Sequence, residues 1–173
     1  MSEITRVDLG HINIRGDAAD RLFTTGVATA LGQDLPLEPN TISIESHRIY
    51  WLGPDEWQVV TELGNKSDLL QKLQHELLGQ HVSINDLSGG QVAYHLSGSK
   101  VPDLLAKGCA LDLHPSVFDM GVCAQCGLAK AIMLLGCIDA APDYEIIVRR
   151  SFSGYVLRWL RQNQNYQADL VSC

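Results

Sequence analysis

The chain has 173 residues, 46% of them apolar and 19% charged, a balance that excludes disorder and low complexity and supports a self-sufficient core without disulfide staples. Thirteen basic against twenty acidic side chains leave a net charge of −7, which disfavours nucleic-acid backbones and anionic membranes unless a basic patch overcomes it. The densest basic stretch, Arg149, Arg150, Arg158 and Arg161, is a weak footprint for nucleic acid, and the longest apolar run, Ala131 to Ile138, is eight residues against the roughly 20 that span a bilayer.

No nucleic-acid or membrane partner is therefore expected. The opening Met-Ser-Glu-Ile-Thr-Arg has no apolar signal region, and five cysteines, an odd number, fit reduced thiols better than a disulfide framework. The expectation is a cytoplasmic protein.

Arg6 to Arg15 reads as a strand in which Val7 and Leu9 hold one phase and Ile12 and Ile14 the other, with a bulge at Gly10-His11. Asp17 then reads as an N-cap with Asp20 three residues on. Leu22, Phe23, Val27, Ala30 and Leu31 follow at helical spacing, and Gly32 is a stop. Thr41 to Leu52 and Glu56 to Leu63 flank Gly53-Pro54-Asp55 and predict a hairpin. Asn65 and Asp68 resemble a capping pair ahead of the stripe Leu69, Leu70, Leu73, Leu77 and Leu78. Val82 to Leu87 closes the first half as a strand, giving the β-α-β-β-α-β order of ferredoxin-like units.

The second half repeats that order. Gln91 to Ser97 is a strand expected to pair with Val82 to Leu87 across Ser88-Gly89-Gly90. Ser99 caps a helix carrying Val101, Leu104 and Leu105 that Gly108 closes, with Pro102 tolerated in its first turn. Strands near Leu128 to Ile138 and at Tyr144 to Arg149 form another hairpin. Ser151 opens a helix with Phe152, Tyr155, Val156, Trp159 and Leu160 on one face, and Gln167 to Val171 reads as a closing edge strand. The predicted fold is α+β, one domain over residues 1–173 built of two pseudo-repeated βαββαβ halves, about 5–87 and 88–172, with antiparallel sheets.

Few residues point to chemistry. Cys123-Ala-Gln-Cys126 is the chain's Cys-x-x-Cys. Its neighbours Cys109, Cys137 and His114 match no zinc-finger spacing, and a loop running into a strand is not the helix N-terminus that a thiol redox pair needs. Core thiols are the simpler reading, with thiol redox chemistry and metal binding as the alternatives. His11, His47, His75, His81, His95 and His114 are scattered without metal-ligand spacing, and the common nucleotide and hydrolase motifs are absent. Asp86-Leu-Ser88 on a tight glycine turn could bind an anion or act as a carboxylate pair with a neighbour. The plainer account is a turn whose side chains hydrogen-bond its own backbone. Trp51, Trp57 and Trp159 are candidates for core or interface anchors.

Several strings taken together carry a resemblance: Leu37-Glu-Pro-Asn40-Thr, Tyr50-Trp-Leu-Gly-Pro-Asp-Glu-Trp57, the Asp86-Leu-Ser turn, Leu105-Ala-Lys-Gly-Cys109-x-Leu-Asp-Leu113-His-Pro, Cys123-Ala-Gln and Val148-Arg-Arg-Ser-Phe152. Over roughly residues 5 to 163 the chain resembles the gamma-subunit family of heterotetrameric sarcosine oxidases. That family is similar to the folate-binding domain of the glycine-cleavage aminomethyltransferase, matched here by Asp86-Leu-Ser88 and Leu96-Ser-Gly98-Ser99. The transferase pattern continues into a Gly-Gly-x-x-Asp-Asp turn whose carboxylates serve the folate amine chemistry. This chain instead passes through Gly127-Leu-Ala-Lys-Ala-Ile-Met-Leu-Leu135 with no carboxylate. A one-carbon transferase needs an acid near the reacting amine to handle its proton and developing charge.

The resemblance therefore implies a non-catalytic small subunit with no catalytic, cofactor-binding or metal-ligating residue of its own. It would support alpha, beta and delta partners that carry FAD, FMN, NAD, tetrahydrofolate and zinc and demethylate sarcosine to glycine. The alternatives are a subunit of a related enzyme such as N-methylglutamate dehydrogenase, or a stand-alone folate-binding protein in which Asp86 is the best remaining carboxylate.

Overall fold

The computed structural model describes residues 2–141 and 143–169, and within them the chain forms two compact units, one of residues 8–89 and one joining residues 1–7 to 90–173. Each unit is an antiparallel five-stranded sheet with helices on one face, the α+β class expected from the sequence.

The 8–89 unit runs β2 (Leu9–Arg15), α1 (Arg21–Leu31), β3 (Ile42–Ile44), β4 (Arg48–Gly53), β5 (Glu56–Glu62), α2 (Lys66–Glu76) and β6 (Ser83–Asp86). Its strands lie in the order β3-β4-β5-β2-β6, so the β4–β5 hairpin and the split placement of β2 beside β5 follow the ferredoxin-like pattern. Ile12 and Ile14 of β2, with Ile49, Trp57 and Val59, pack against Phe23, Val27 and Leu31 from α1 and Leu69 and Leu73 from α2. Trp57 is fully buried and its indole N–H donates to Pro36 O at 2.8 Å, the partner that burial of an indole requires.

The other unit runs β7 (Gln91–Ser97), α3 (Val101–Leu105), β8 (Cys123–Leu128), β9 (Ala131–Asp139), β10 (Asp143–Arg149) and α4 (Arg150–Asp169), and takes β1 (Glu3–Val7) as its remaining strand. The strand order is β1-β7-β10-β9-β8. Position by position, β1 fills the place beside β7 that β6 fills beside β2. Tyr94, Leu96, Met133, Leu135, Ile146 and Val148 pack under Leu104, Leu105, Val156 and Leu160.

Several expectations are corrected. Arg6 to Arg15 is two strands rather than one bulged strand: the chain leaves one sheet after Val7 and enters the other at Leu9, which is why the apolar phase switches. β6 and β7 form no hairpin, because β6 pairs with β2 while β7 pairs with β1 and β10. The N-cap of α1 is Asp20, whose Oδ1 accepts the Leu22 N–H at 2.8 Å. Asp17 instead holds an earlier turn by accepting from Ala19 N–H at 2.9 Å. Gly32 does end the helix in the left-handed region at φ 71°, where glycine is least strained.

Neither Asn65 nor Ser99 caps through its side chain; the cap positions are Asn65, without a side-chain bond, and Lys100. Leu78, read as part of the α2 stripe, is 84% exposed. The long strand read near Leu128 is a β8–β9 hairpin that turns at Ala129 with φ 52°. Residues 167–169 continue α4 rather than forming an edge strand, and the remainder of that expected strand, 170–171, lies outside the described residues.

Candidate functional site

The sequence offers Asp86-Leu-Ser88 as its best polar constellation, and the structure shows that turn fully engaged in holding itself. Asp86 ends β6, and its Oδ2 accepts from Lys66 Nζ at 2.7 Å while its Oδ1 accepts the Ser88 N–H at 2.9 Å. Ser88 Oγ in turn accepts the His11 N–H at 2.9 Å, and the Leu87 N–H donates to His11 O at 2.8 Å. The segment is thus stitched to β2.

The hydrogen bonds from Lys66 and then Ser88 are the largest influences on the carboxyl and hold it at about 2, below its ordinary 3.8, against the opposing effect of burial. A group so weakly basic is an ion pair rather than a proton acceptor for an amine.

The Cys-x-x-Cys residues do not face one another. Cys123 and Cys126 both lie on β8, three positions apart and so on opposite faces; Cys123 is buried and Cys126 is half-buried. This corrects their placement in a loop. The Cys126 thiol instead meets Cys109, just past α3, with the sulfurs 3.8 Å apart. Burial first, and then the neighbouring Cys109, push the Cys126 thiol up to about 12, which keeps it protonated and unreactive. Cys137 is likewise raised, chiefly by burial, and its thiol donates to Asp139 O at 3.4 Å. Cys109, Cys123, Cys126 and Cys137 are all free thiols, and among the described residues no group of three or more His, Cys, Asp or Glu is placed to hold a metal.

The histidines are dispersed among separate polar contacts. His11 meets Gln58 at 3.2 Å, both buried; His47 meets Thr61 at 3.0 Å; and His114 sits in its own turn against Ser116 at 2.7 Å. Burial, and secondarily the charge of Lys72, lower the pKa of His47. His81 lines an open cleft of about 830 Å³ in the 8–89 unit. The carboxylates of that cleft are already committed: Asp17 and Asp20 hold the start of α1, and Asp55 pairs with Arg15 at 3.0 Å.

Two pairs escape the sequence reading. His95 on β7 and Glu145 on β10 are cross-strand partners, with His95 Nε2 2.8 Å from Glu145 Oε2 and Glu145 wholly buried. Its signal was available, since Glu145 is an acidic residue set within the apolar run Tyr144 to Val148. The Lys66–Asp86 pair had no such signal, because it joins the first residue of a helix to the last of a strand 20 positions away.

The model of the sarcosine oxidase, gamma subunit family matches residues 15–166. The curated gamma subunit of sarcosine oxidase from Corynebacterium sp. strain P-1 is 32% identical over 136 residues, covering 78% of this chain and 66% of that protein, so the chain spans just under two thirds of that relative's length. A chain of the heterotetrameric sarcosine oxidase from Corynebacterium sp. U-96 superposes with a TM-score of 0.88 at 26% identity, covering 95% of this chain and 84% of that one. The aminomethyltransferase of the Bartonella henselae glycine cleavage system shares the fold, with a TM-score of 0.71 at 13% identity over 92% of this chain and 45% of that one. By sequence and fold alike, the chain belongs to the sarcosine oxidase gamma subunit family.

Proposed function

We infer that this chain is the non-catalytic gamma subunit of a heterotetrameric sarcosine oxidase. It supports assembly of a flavoenzyme that oxidises the N-methyl group of sarcosine, giving glycine with formaldehyde or methylene-tetrahydrofolate and reducing oxygen to hydrogen peroxide. The alpha, beta and delta subunits are its partners and carry FAD, FMN, NAD, tetrahydrofolate and zinc. The complex works in the cytoplasm, where thiols such as Cys109 and Cys126 stay reduced.

The observation that carries this reading is the state of Asp86. A fold shared with a glycine cleavage aminomethyltransferase has its best remaining carboxylate tied to Lys66 and to the Ser88 N–H. What such a chain offers is shape and surface, not proton transfer.

Coexpression with the three partner subunits tests it. The expected outcome is co-purification of all four chains and sarcosine-dependent peroxide formation by the complex, with none by this chain alone. A chain that stays free of the larger subunits, or that binds tetrahydrofolate at micromolar concentration by itself, overturns the assignment.

A further inference from the structure

The charge of this chain is segregated. Residues 8–89 hold five basic and twelve acidic side chains, while the remainder holds eight of each, so the whole net negative charge belongs to one unit. The other unit concentrates its positive charge around one helix. From residue 150 to 168 α4 contains Arg150, Arg158 and Arg161 and no acidic residue.

Val156 and Leu160 fix the buried side of α4. At 100° per residue, Gly154, Arg158, Arg161 and Gln162 fall on the opposite side, and all four are exposed. Among the described residues neither Arg158 nor Arg161 forms an ion pair. Two lysines flank the same helix: Lys107 Nζ donates to Asn163 O at 2.8 Å, and the Lys130 N–H donates to the Tyr155 hydroxyl at 3.3 Å.

We propose that the solvent-facing side of α4, centred on Arg158 and Arg161, is a docking surface for an acidic face of one of the larger subunits. The proposal rests on the assignment of the chain to the sarcosine oxidase complex. Arginine suits this role because its planar fork binds carboxylates in pairs and sheds water more readily than an ammonium. Opposite charge across the contact steers association and fixes register.

The test coexpresses the chain with the other three subunits and captures the complex through a tag on the largest. R158K/R161K, which keeps both charges but loses the planar fork, is expected to enter the complex less well than the unaltered chain and better than R158E/R161E. R158E/R161E is expected to enter at least about tenfold less at low salt, and the difference should shrink as salt is raised toward about 0.5 M. Both exposed substitutions should leave the thermal midpoint of the isolated chain unchanged, which separates docking from folding.

If the unaltered chain is never captured, the assignment to the complex fails and this proposal with it. If the unaltered chain and R158E/R161E are captured equally, the assignment stands and the docking surface is overturned. Binding of a single-stranded oligonucleotide, or dimerisation of the isolated chain, that R158E/R161E abolishes while still entering the complex overturns it in favour of nucleic acid or a second copy.

Discussion

Lys66 Nζ lies 2.7 Å from Asp86 Oδ2, and the stem of that lysine crosses Gly10 so closely that a Cβ on the glycine would sit 2.9 Å from Lys66 Cβ. The pair therefore joins the start of α2 to the end of β6 over the backbone of β2. Asp86 holds its proton less tightly folded, at about 2, than at its ordinary 3.8. A lowered carboxyl favours the folded chain above the unfolded value, and that contribution is lost as pH falls through the folded one, between roughly 4 and 2. Lys66→Met is expected to move the Asp86 titration upward, read by carboxyl NMR, and to raise the midpoint of acid unfolding. The stability change at neutral pH should be small, because the carboxylate is 39% exposed and water screens it. A titration left in place would assign the lowered value to the hydrogen bonds of Ser88 alone.

The thiols make a second prediction. Cys109 is 5% exposed, Cys123 is 1% exposed, and the Cys126 thiol is raised to about 12. A thiol of that acidity has about one part in a hundred thousand as reactive thiolate at neutral pH. Alkylation of these three cysteines in the native chain, followed by mass spectrometry, is expected to be at least about a hundredfold slower than in urea. Rapid labelling of Cys123 and Cys126 together would restore a redox role for the Cys-x-x-Cys.

A third prediction concerns two glycines with opposite surroundings. A Cβ at Gly108 would sit 2.5 Å from Trp159 Cζ2 and 3.0 Å from Cη2, whereas a Cβ at Gly154 meets nothing within 4 Å. Gly108→Ala must push a large rigid ring off the turn after α3 and should cost about 1–3 kcal/mol. Gly154→Ala lies on the exposed side of α4 and should stabilise by about 0.5–1 kcal/mol through helix propensity. Thermal melts of the two variants should move in opposite directions.

These local features were legible to different degrees. The α1 stop at Gly32, the β4–β5 hairpin and the apolar faces of α2 and α4, apart from the exposed Leu78 and Phe152, follow directly from turn chemistry and period, because those signals are written within a few residues. Strand partners were not. Ser88-Gly89-Gly90 looks like a tight turn, yet Ser88 Oγ accepts from His11 N–H and binds its segment to β2. Periodicity reports that a strand exists and which face is apolar, and says nothing of which edge receives it. The β8–β9 turn was hidden for another reason: Ala129 takes φ 52° without glycine or asparagine to announce it. Of the Asp86 turn, the expected bond from the Ser88 N–H to the carboxylate is present, whereas Ser88 Oγ reaches His11 on β2 instead of its own turn. The turn's lysine, like the contact of Cys109 with Cys126, depends on tertiary placement that spacing cannot encode.

The position of β1 makes the last prediction. Its five residues pair antiparallel with β7, from Glu3 opposite Ser97 to Val7 opposite Ala93, and the Gln164 side-chain amide donates to the Ser2 carbonyl. In the 8–89 unit the equivalent place beside β2 is taken by β6, which that unit supplies from its own end. Removing residues 1–7 therefore strips one side of β7 and leaves a strand edge with unpaired N–H and C=O groups, a template for another chain. The truncated chain should melt at least about 5 °C lower and self-associate in sedimentation experiments, and a synthetic peptide of residues 1–8 added in trans should reverse both effects by strand addition. A truncated chain that remained monomeric with an unchanged midpoint would mean that the β1–β7 ladder contributes nothing to the fold. The expected loss follows from the pairing itself, because a segment that opens the sequence completes a sheet otherwise made from residues beyond position 90.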